Sequence, residues 1–334
     1  MKLIDMFSDA APIYVIAEIG VNHEGSVEAC AKLIDAAADA GADAMKLQTI
    51  DADRSYHPET ESYAIFSGAA LTLEETAQMF EYARSRQIEP MTTSGDPLTL
   101  EWLDRLEPAA HKISSGLLTC TPMVKAASQT GRPVLMSTGM AEVAQIDHAV
   151  NSARDSGVAH LGLFQCTSLY PCPPEQLSLE TIAWLSNRYG VPAGFSDHSV
   201  GVLAASLAAS HGARFVEKHI SLDTSQPGFD HRLSLEPDDF AKMVEGLRFA
   251  EQAKGQAEKT LTETESQNAR KYHRRLAVRR DMAAGEVLTR EDVLLMRLLP
   301  QHEGMPSDSY EDILGKVLAR PVKQHTGLVS ADVE

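Results

Sequence analysis

One pattern recurs along residues 13–253: a short apolar run, polar residues at its end, and then a segment with the length and composition of a helix. The predicted strands are 13–17, the run that ends at Lys46, 88–93, 111–113, 133–136, 161–165, 191–195 and 214–216. The predicted helices include 27–40, 98–106, 122–130, 143–156, 179–189, 200–211 and 237–253. Eight strand and helix alternations in about 250 residues is the count expected of a (β/α)8 barrel. The sequence therefore predicts an α/β fold, a (β/α)8 TIM barrel.

A doubly wound open sheet is the alternative architecture for alternating strands and helices. Its first strand is normally followed by a glycine-rich turn of the GxGxxG type, which binds a pyrophosphate. The first predicted strand is followed instead by EIGVNHEG, which lacks that spacing. This difference favours the barrel.

The chain changes character after the eighth predicted helix. Residues 254–267 lose the apolar period, which is typical of a polar linker. We therefore divide the chain into a TIM-barrel catalytic domain at 1–253, a linker at 254–270 and a small domain at 271–334. Roughly 60 residues is marginal for independent stability. We expect the small domain to dock on its own barrel or on a partner subunit.

Charge and cysteine usage limit the partners and the compartment. The net charge of −17 and the pI near 5.1 argue against nucleic acid or a membrane surface as a partner. An anionic substrate must then be held by local positive charge. The four cysteines have no CxxC spacing, and the chain shows neither a secretory signal pattern nor an apolar run of membrane-spanning length. We therefore expect a cytoplasmic protein.

Polar side chains follow the predicted strands. They are Glu18, Lys46, Thr93, Lys112, Ser115, Ser137, Tyr170, Ser196, His198 and His219. In a barrel these strand ends converge on one mouth, where loops build the site. Because lysine is rarely buried without a partner, Lys46 and Lys112 beside several hydroxyls predict a pocket for a compact anion such as a phosphate with a carboxylate. Each single Ser or Thr can equally end its strand or cap the next helix.

His198 and His219 follow two consecutive predicted strands. If those strands are neighbours, the two imidazoles can share one metal ion, and a divalent first-row ion such as Mn²⁺ suits two imidazoles and water. The alternative is that each is an ordinary histidine at a strand end with a satisfied hydrogen bond. The carboxylates nearby favour the metal.

Nine pieces of the chain form a recognisable series. They are AEIGVNHEG (17–25), GADAMKLQT (41–49), HKISSG (111–116), STGM (137–140), QCTSLYP (165–171), GFSDHS (194–199), VEKHISLD (216–223), and AAGEVLTREDV with LGKVLARPV near the end of the chain. In this order they resemble the N-acetylneuraminate (sialic acid) synthase family, which includes legionaminic and pseudaminic acid synthases and proteins of spore-coat polysaccharide synthesis. Members of this family join phosphoenolpyruvate to a sugar aldehyde.

The resemblance implies a barrel followed by an antifreeze-like SAF domain, in a homodimer whose SAF domains are swapped. It implies a phosphoenolpyruvate pocket made by Lys46, Thr93, Lys112, Ser115, Ser137 and Ser196. It implies His198 and His219 as ligands of a divalent metal, Mn²⁺ first and Mg²⁺ or Co²⁺ as alternatives. Glu18, Tyr170 and Asp230 then face the sugar, and Arg297 enters the neighbouring subunit's site. The implied product is a nonulosonic 2-keto-3-deoxy acid, formed with release of phosphate.

Some positions depart from the family pattern on the sugar side. Leu117 stands where an acidic residue is frequent, and Ser168 stands where an asparagine is common. The acceptor therefore stays open between N-acetylmannosamine, a diacetamido-trideoxyhexose and another aldose, free or as a 6-phosphate. Two other functions stay open: a sugar-binding barrel without catalysis, and a barrel metal hydrolase in which His23, His57 or His231 completes the metal site.

Overall fold

The computed structural model describes residues 1–8 and 11–334. These residues divide into two compact units, Met1–Gly255 and Gln256–Glu334. The first unit carries the strand and helix alternation, and the second carries a small antiparallel sheet.

The first unit is a closed barrel of eight parallel strands. The strands are β1 Tyr14–Gly20, β2 Ala44–Thr49, β3 Glu89–Ser94, β4 His111–Ile113, β5 Val134–Ser137, β6 Leu161–Cys166, β7 Ala193–Asp197 and β8 Phe215–His219. They follow one another around the barrel in chain order, and β8 closes the sheet by pairing with β1. The predicted TIM barrel is confirmed, and the doubly wound open sheet is excluded.

Helices surround this barrel on its outer side. They are α1 Val27–Asp39, α2 Ala52–Ser55, α3 Glu61–Ala69, α4 Leu73–Ser85, α5 Pro97–Asp104, α6 Thr121–Gln129, α7 Val143–Asp155, α8 Glu180–Tyr189, α9 Leu203–Ser210 and α10 Pro237–Ala253. Most are the crossovers that a parallel sheet needs, and they bury one apolar face against the outward side chains of the strands. The short helices α2 and α3 are an insertion between β2 and α4.

The interior of the barrel is apolar at one end. Inward side chains such as Ile16, Met91, Leu135 and Phe215 form a buried cluster there, which the turn Leu3–Phe7 covers with Leu3 and Met6. Because side chains in a strand alternate between its two faces, the residue two positions further along each strand also points inward. That next layer is polar, and it consists of Glu18, Lys46, Thr93, Lys112, Ser137, Cys166, Ser196 and Glu217.

The second unit has its own apolar core. Strands β9 Arg275–Val278 and β10 Val293–Met296 pair antiparallel, and a short helix, Tyr310–Ile313, follows. Its buried cluster includes Leu276, Leu288 and Leu328. The segment predicted as a polar linker, 254–270, contains part of a further helix, Glu263–Tyr272. A capping box at Thr262 starts this helix, and none of its residues is buried, which explains the missing apolar period.

Candidate active site

A cavity of about 570 Å³ opens at the polar end of the barrel. Its lining contains eleven of the residues singled out from the sequence. These are Glu18, Lys46, Thr93, Lys112, Ser115, Ser137, Tyr170, Ser196, His198, His219 and Asp230. Both lysines and both histidines therefore face one space. Arg297 lies in the second unit, where its guanidinium carbon is 5.0 Å from the centre of the Tyr272 ring, and its place in a site stays a prediction.

The floor of the cavity is a buried array of alternating charges. Lys46 Nζ lies 2.6 Å from Glu18 Oε2 and 3.8 Å from Glu217 Oε2, while Lys112 Nζ lies 3.3 Å from Glu217 Oε1. All four side chains are at most 6% exposed. The strand register explains the contacts, because Glu18 on β1 pairs with Lys46 on β2. A buried charge needs such a partner, and each lysine has one.

The two carboxyl groups of this array differ in proton affinity. Burial raises the pKa of Glu18 to about 7. Lys46 lowers this pKa, but its effect is smaller than that of burial. Burial also acts to raise the pKa of Glu217, but Lys112 and Lys46 outweigh it and lower that pKa to about 2. Glu217 is therefore ionised at neutral pH, whereas Glu18 exchanges a proton near neutrality.

Hydroxyl groups accompany the two lysines. Lys46 Nζ donates to Thr93 Oγ1 at 3.3 Å, and Lys112 Nζ donates to Ser137 Oγ at 2.8 Å. Ser196 Oγ donates to Glu217 at 3.0 Å. An ammonium group beside a hydroxyl group can donate several hydrogen bonds to the oxygens of one anion, which suits phosphate and carboxylate groups.

Ser115 and Cys166 border the same floor. Ser115 Oγ accepts a hydrogen bond from the backbone N–H of Gly139 at 3.1 Å and donates to Cys166 Sγ at 3.5 Å. A side chain at position 139 would place its Cβ 2.6 Å from Ser115 Oγ and 2.4 Å from Ser168 Oγ. The glycine is therefore what lets the loop after β5 approach these two hydroxyls.

The two histidines stand next to each other with unused nitrogens. Their ring centres are 5.6 Å apart. His198 Nδ1 donates to the carbonyl of Thr167 at 3.0 Å, which fixes its tautomer and leaves Nε2 with a free lone pair. His219 Nδ1 is buried without a hydrogen-bond partner and lies 3.6 Å from Asp230 Oδ2.

Protonation of the two rings differs. Burial lowers the pKa of His219 well below its ordinary value, and His198 and Lys46 add to this effect. Burial also acts to lower the pKa of His198, but its contacts with Cys166 and Thr167 outweigh it and raise that pKa. A metal ion would compete with the proton on His198, so that its binding should weaken as the pH falls.

This donor set fits a divalent cation held by two imidazoles. Within the described part of the chain, no group of three or more His, Cys, Asp or Glu is arranged to hold a metal. The three histidines that a hydrolase site would recruit make other contacts: His231 contacts Ser221 and Glu24, His23 accepts from the backbone of Gly25, and His57 accepts from the backbone of Glu59. Among the described residues, the cavity thus offers a cation two imidazoles, those of His198 and His219.

Tyr170 and Asp230 are at the rim of the cavity. The Tyr170 ring centre is 4.2 Å from that of His198, and the side chain is 54% exposed. Asp230 donates its backbone N–H to Asn22 Oδ1 at 3.2 Å, and burial raises the pKa of its carboxyl group. Both residues line the cavity beside the two histidines.

Comparison with known proteins decides the family. The sequence model of the NeuB family matches residues 33–259, and that of the SAF domain matches residues 273–334. The chain belongs to the NeuB family. The resemblance inferred from the sequence motifs is confirmed.

Relatives match this NeuB-family protein along nearly its whole length. The N,N'-diacetyllegionaminic acid synthase of Legionella pneumophila is 30% identical over 96% of this chain and 94% of its own. A pseudaminic acid synthase of Campylobacter jejuni is 31% identical over 99% of both chains. The structure of N-acetylneuraminic acid synthetase from Leptospira borgpetersenii, solved with citrate, has a TM-score of 0.74 at 28% identity, covering 77% of this chain and 90% of that one.

The departures from the family pattern have different structural settings. Leu117 packs against the outer apolar core of the barrel. Ser168 lines the cavity, and its Oγ is buried without a hydrogen-bond partner. Ser168 therefore leaves a polar atom for a ligand, whereas Leu117 fills space outside the cavity.

Sequence reasoning gave no role to two other cavity residues. Glu217 bridges both lysines, and Gln48 donates to Glu18 Oε1 at 2.9 Å. Each stands two residues from a predicted site residue on the same strand, His219 and Lys46, so the period of the strand was the signal that places them on the same face.

No described helix of the chain is both long and apolar enough to cross a membrane.

Proposed function

We propose that this protein condenses phosphoenolpyruvate with a sugar aldehyde of the N-acetylmannosamine type, giving a nonulosonic 2-keto-3-deoxy acid and phosphate. The observation that carries the proposal is the single cavity in which a lysine pair with hydroxyls faces two neighbouring imidazoles. Relatives named as legionaminic and pseudaminic acid synthases support it.

Lys46 and Lys112 would bind the phosphate and carboxylate groups of phosphoenolpyruvate. Both ammonium groups are buried, and so their attraction for an anion is weakly screened. Thr93, Ser137 and Ser196 would donate further hydrogen bonds to the same oxygens. Glu217 contacts both lysines in the free protein, so the incoming anion competes with that carboxylate for them.

His198 and His219 would hold the divalent metal, for which we propose Mn²⁺, with Mg²⁺ or Co²⁺ as alternatives. A metal with open positions supplies Lewis-acid polarisation of a carbonyl group. Tyr170 and Asp230, at the rim beside these histidines, would orient the sugar so that its aldehyde carbon faces the methylene carbon of phosphoenolpyruvate. Holding both substrates in this orientation would lower the entropic cost of forming the carbon–carbon bond.

Glu18 and Asp230 would handle the proton transfers. When the methylene carbon of phosphoenolpyruvate attacks the aldehyde carbon, positive charge develops at the enol carbon, and water adds there. The water loses a proton and the aldehyde oxygen gains one, which gives a tetrahedral carbon that bears a hydroxyl group and the phosphate. The C–O bond to phosphate then breaks, and the hydroxyl proton passes to the departing phosphate, which leaves the ketone. Glu18, whose pKa is about 7, can accept or give a proton at neutral pH. Lys46 and Lys112 would stabilise the departing phosphate.

We also propose a homodimer with swapped SAF domains, in which Arg297 of each chain enters the partner's cavity. The sequence match of the SAF domain and the need of a small unit for a docking surface support it. The proposed compartment is the cytoplasm, because phosphoenolpyruvate is made there and all four cysteines are free.

Release of phosphate tests the reaction. Full-length protein with Mn²⁺ and phosphoenolpyruvate is offered N-acetylmannosamine, its 6-phosphate and a 2,4-diacetamido-2,4,6-trideoxyhexose, and phosphate and keto acid are measured. We expect equal amounts of both products with at least one sugar. No phosphate with any sugar would favour a sugar-binding barrel without catalysis.

The metal is tested by replacing both histidines. We expect His198→Ala with His219→Ala to lower kcat by more than about 100-fold and to abolish Mn²⁺ binding in titrations followed by electron paramagnetic resonance. His211→Ala is the control, because that ring lies at the end of α9 near Glu180. Substantial activity in the double variant would refute a role for the metal.

A further inference from the structure

A fully buried ion pair lies on the outer face of β7 and β8, outside the cavity. Lys218 Nζ is 3.1 Å from Asp197 Oδ2, and both side chains are 0% exposed. Side chains alternate along a strand, so this pair continues the outward row that Phe195 and Val216 begin. Those two residues belong to the apolar core between the strands and the helices. The steps of the proposed condensation use neither charge of the pair.

Each member of the ion pair directly precedes one of the two cavity histidines. Asp197 is followed by His198, and Lys218 is followed by His219. Asp197 and Lys218 are also register partners in the pairing of β7 with β8. The ion pair therefore joins the two strands at the point from which both imidazoles enter the cavity.

The same pair holds the residue on the other side of His198. Asp197 Oδ1 accepts a hydrogen bond from the backbone N–H of Ser199 at 2.8 Å and another from Ser199 Oγ at 2.7 Å. Lys218 Nζ donates to the carbonyl of Ser199, which is itself buried. His198 thus lies between two residues that both contact the ammonium group of Lys218 on β8.

Stability alone does not account for charges at this place. Two charges lose their hydration when they are buried, and apolar residues of similar volume often stabilise a fold as well as the ion pair does, or better. The preceding pair in the same row, Phe195 with Val216, is apolar. What an apolar pair cannot provide is the set of directed contacts to the backbone around His198.

We propose that Asp197 and Lys218 are positioning residues, which fix the backbone around His198 against β8 and so keep the two imidazoles at a separation that one divalent cation can bridge. This inference rests on the proposed metal site. It gives the ion pair no contact with either substrate. Loss of the pair should therefore weaken the binding of the metal itself.

The double substitution Asp197→Leu with Lys218→Met tests this role, because it continues the apolar row and leaves no unpaired charge. Mn²⁺ alone is titrated into the full-length protein, and binding is followed by electron paramagnetic resonance. We expect the Kd for Mn²⁺ to rise by about 10- to 100-fold, which is the usual effect of losing groups that orient metal ligands. The midpoint of unfolding in urea, in metal-free buffer, should stay close to that of the natural protein. An unchanged Kd in the folded double variant would overturn the inference.

Arg248→Met is the control for loss of an ion pair elsewhere in the barrel. Arg248 Nη2 lies 3.2 Å from Asp43 Oδ2, and Asp43 precedes β2 at the end of the barrel opposite the cavity. We expect this variant to bind Mn²⁺ with the Kd of the natural protein. Equal weakening in Arg248→Met and in the double variant would contradict a specific role for Asp197 and Lys218.

Ser199→Ala is a milder variant that keeps the ion pair. It removes one of the two hydrogen bonds that Asp197 Oδ1 accepts, and we expect the Kd for Mn²⁺ to rise about threefold. If the double variant does not fold, Ser199→Ala decides, and an unchanged Kd in that variant would reject the inference.

Crystal structures separate failure of this inference from failure of the proposed metal site. If the natural protein binds no Mn²⁺, the metal site fails, and the position of the His198 ring still tests the role of the ion pair. The inference then requires that the distance between the His198 and His219 ring centres, 5.6 Å in the natural protein, changes in the double variant and is kept in Arg248→Met. A His198 ring that does not move in the double variant would reject the inference whether or not the protein binds a metal.

Discussion

Glu18 and Glu217 lie in one cavity and contact the same lysine, yet their pKa values move in opposite directions. Glu217 has two lysines and the hydroxyl of Ser196 within reach, and these outweigh the cost of burying its charge. Glu18 has one lysine and one amide donor, from Gln48, and burial prevails. The number of donors around each carboxylate, rather than its depth, therefore decides which of the two carries a mobile proton at neutral pH.

This assignment predicts how stability depends on pH. Because the pKa of Glu18 is raised to about 7 in the folded protein, the native state binds a proton more tightly than the unfolded chain does. The stability that this bound proton contributes is fully present below the pKa of Glu18 in the unfolded chain, and it is lost as the pH rises through 7. Relative to Glu18→Gln, the free energy of unfolding of the natural protein should fall by up to about 3 kcal/mol between pH 5 and pH 8.

Urea titrations in metal-free buffer at several pH values measure this difference. The glutamine variant is the matched control, since it keeps the shape of the protonated side chain at every pH. Parallel stability curves for the two proteins would show that Glu18 does not titrate in this window.

Asn22 is a second residue whose contacts predict a measurable effect. Its side chain is buried; Nδ2 donates to the carbonyl of Ile220 and to Ser234 Oγ, both at 3.0 Å, and Oδ1 accepts from the backbone of Asp230. Ser234 Oγ in turn donates to the carbonyl of Asp230 at 2.7 Å. The loop that carries the Asp230 carboxylate is therefore fastened to β1 and β8 through one amide.

We expect Asn22→Ala to lower kcat by loosening Asp230, and to lower the free energy of unfolding by about 1–3 kcal/mol because buried partners lose their hydrogen bonds. Asn151→Ala, exposed on α7, is the control. A positioning role also predicts non-additivity: in an Asp230→Asn background, Asn22→Ala should cost little further kcat. Additive losses in the double variant would mean that Asn22 acts on catalysis by another route.

Among the elements, most of those that the sequence predicts bury an apolar face, but α4 buries Met79 and Phe80 and is not among the predicted helices. The predicted segments 111–113 and 237–253 coincide with β4 and α10, since their apolar residues pack in the barrel and on its outer side. The helix α3 escapes this reasoning, because its inner face borders a cavity and only Ala69 is buried. The helix Glu263–Tyr272 escapes it for the same reason, as none of its residues is buried.

The residues of the candidate site also differ in how well the sequence predicts them. Lys46 and Lys112 are recognisable because a lysine in an apolar strand needs an anion. Glu217 carries the same information, but the sequence alone does not say which strands provide its partners. Its lysine partners lie on β2 and β4, which do not pair with β8, and closure of the barrel brings them together by directing all three side chains into its interior.

The pairing of β7 with β8 predicts the effect of a single methyl group. A Cβ on Gly194 would lie 2.5 Å from the carbonyl oxygen of Phe215 and 2.7 Å from its Cβ. The first of these atoms is backbone and cannot move without shifting the strand that carries Glu217 and His219. We expect Gly194→Ala to lower the free energy of unfolding by about 1–3 kcal/mol in urea titrations and to lower activity as well.

Gly68 provides the matched control for this substitution. A Cβ there meets no atom within 4 Å, and the residue lies in helix α3, where alanine is favoured over glycine. Gly68→Ala should therefore leave stability unchanged or raise it. Equal losses in both alanine variants would mean that strand spacing at β7 is not the cause.

At the scale of the whole molecule, the proposed reaction would take groups from both units. The barrel carries the lysines, the hydroxyls and both histidines, whereas Arg297 belongs to the second unit. A site that needs groups from both units can be completed within one chain or between two. Only a closed dimer with exchanged second units makes each cavity depend on the partner's arginine.

Complementation distinguishes the two arrangements. Arg297→Ala and His198→Ala chains, carrying different affinity tags, are produced together, and the heterodimer is isolated by two successive affinity steps. If Arg297 acts on the partner's barrel, one of the two cavities in the heterodimer has both an intact histidine pair and an intact arginine. We then expect about half of the activity of the natural dimer, although each variant homodimer is nearly inactive. If Arg297 acts on its own barrel, neither cavity is complete, and a heterodimer no more active than the Arg297→Ala homodimer would contradict the exchange.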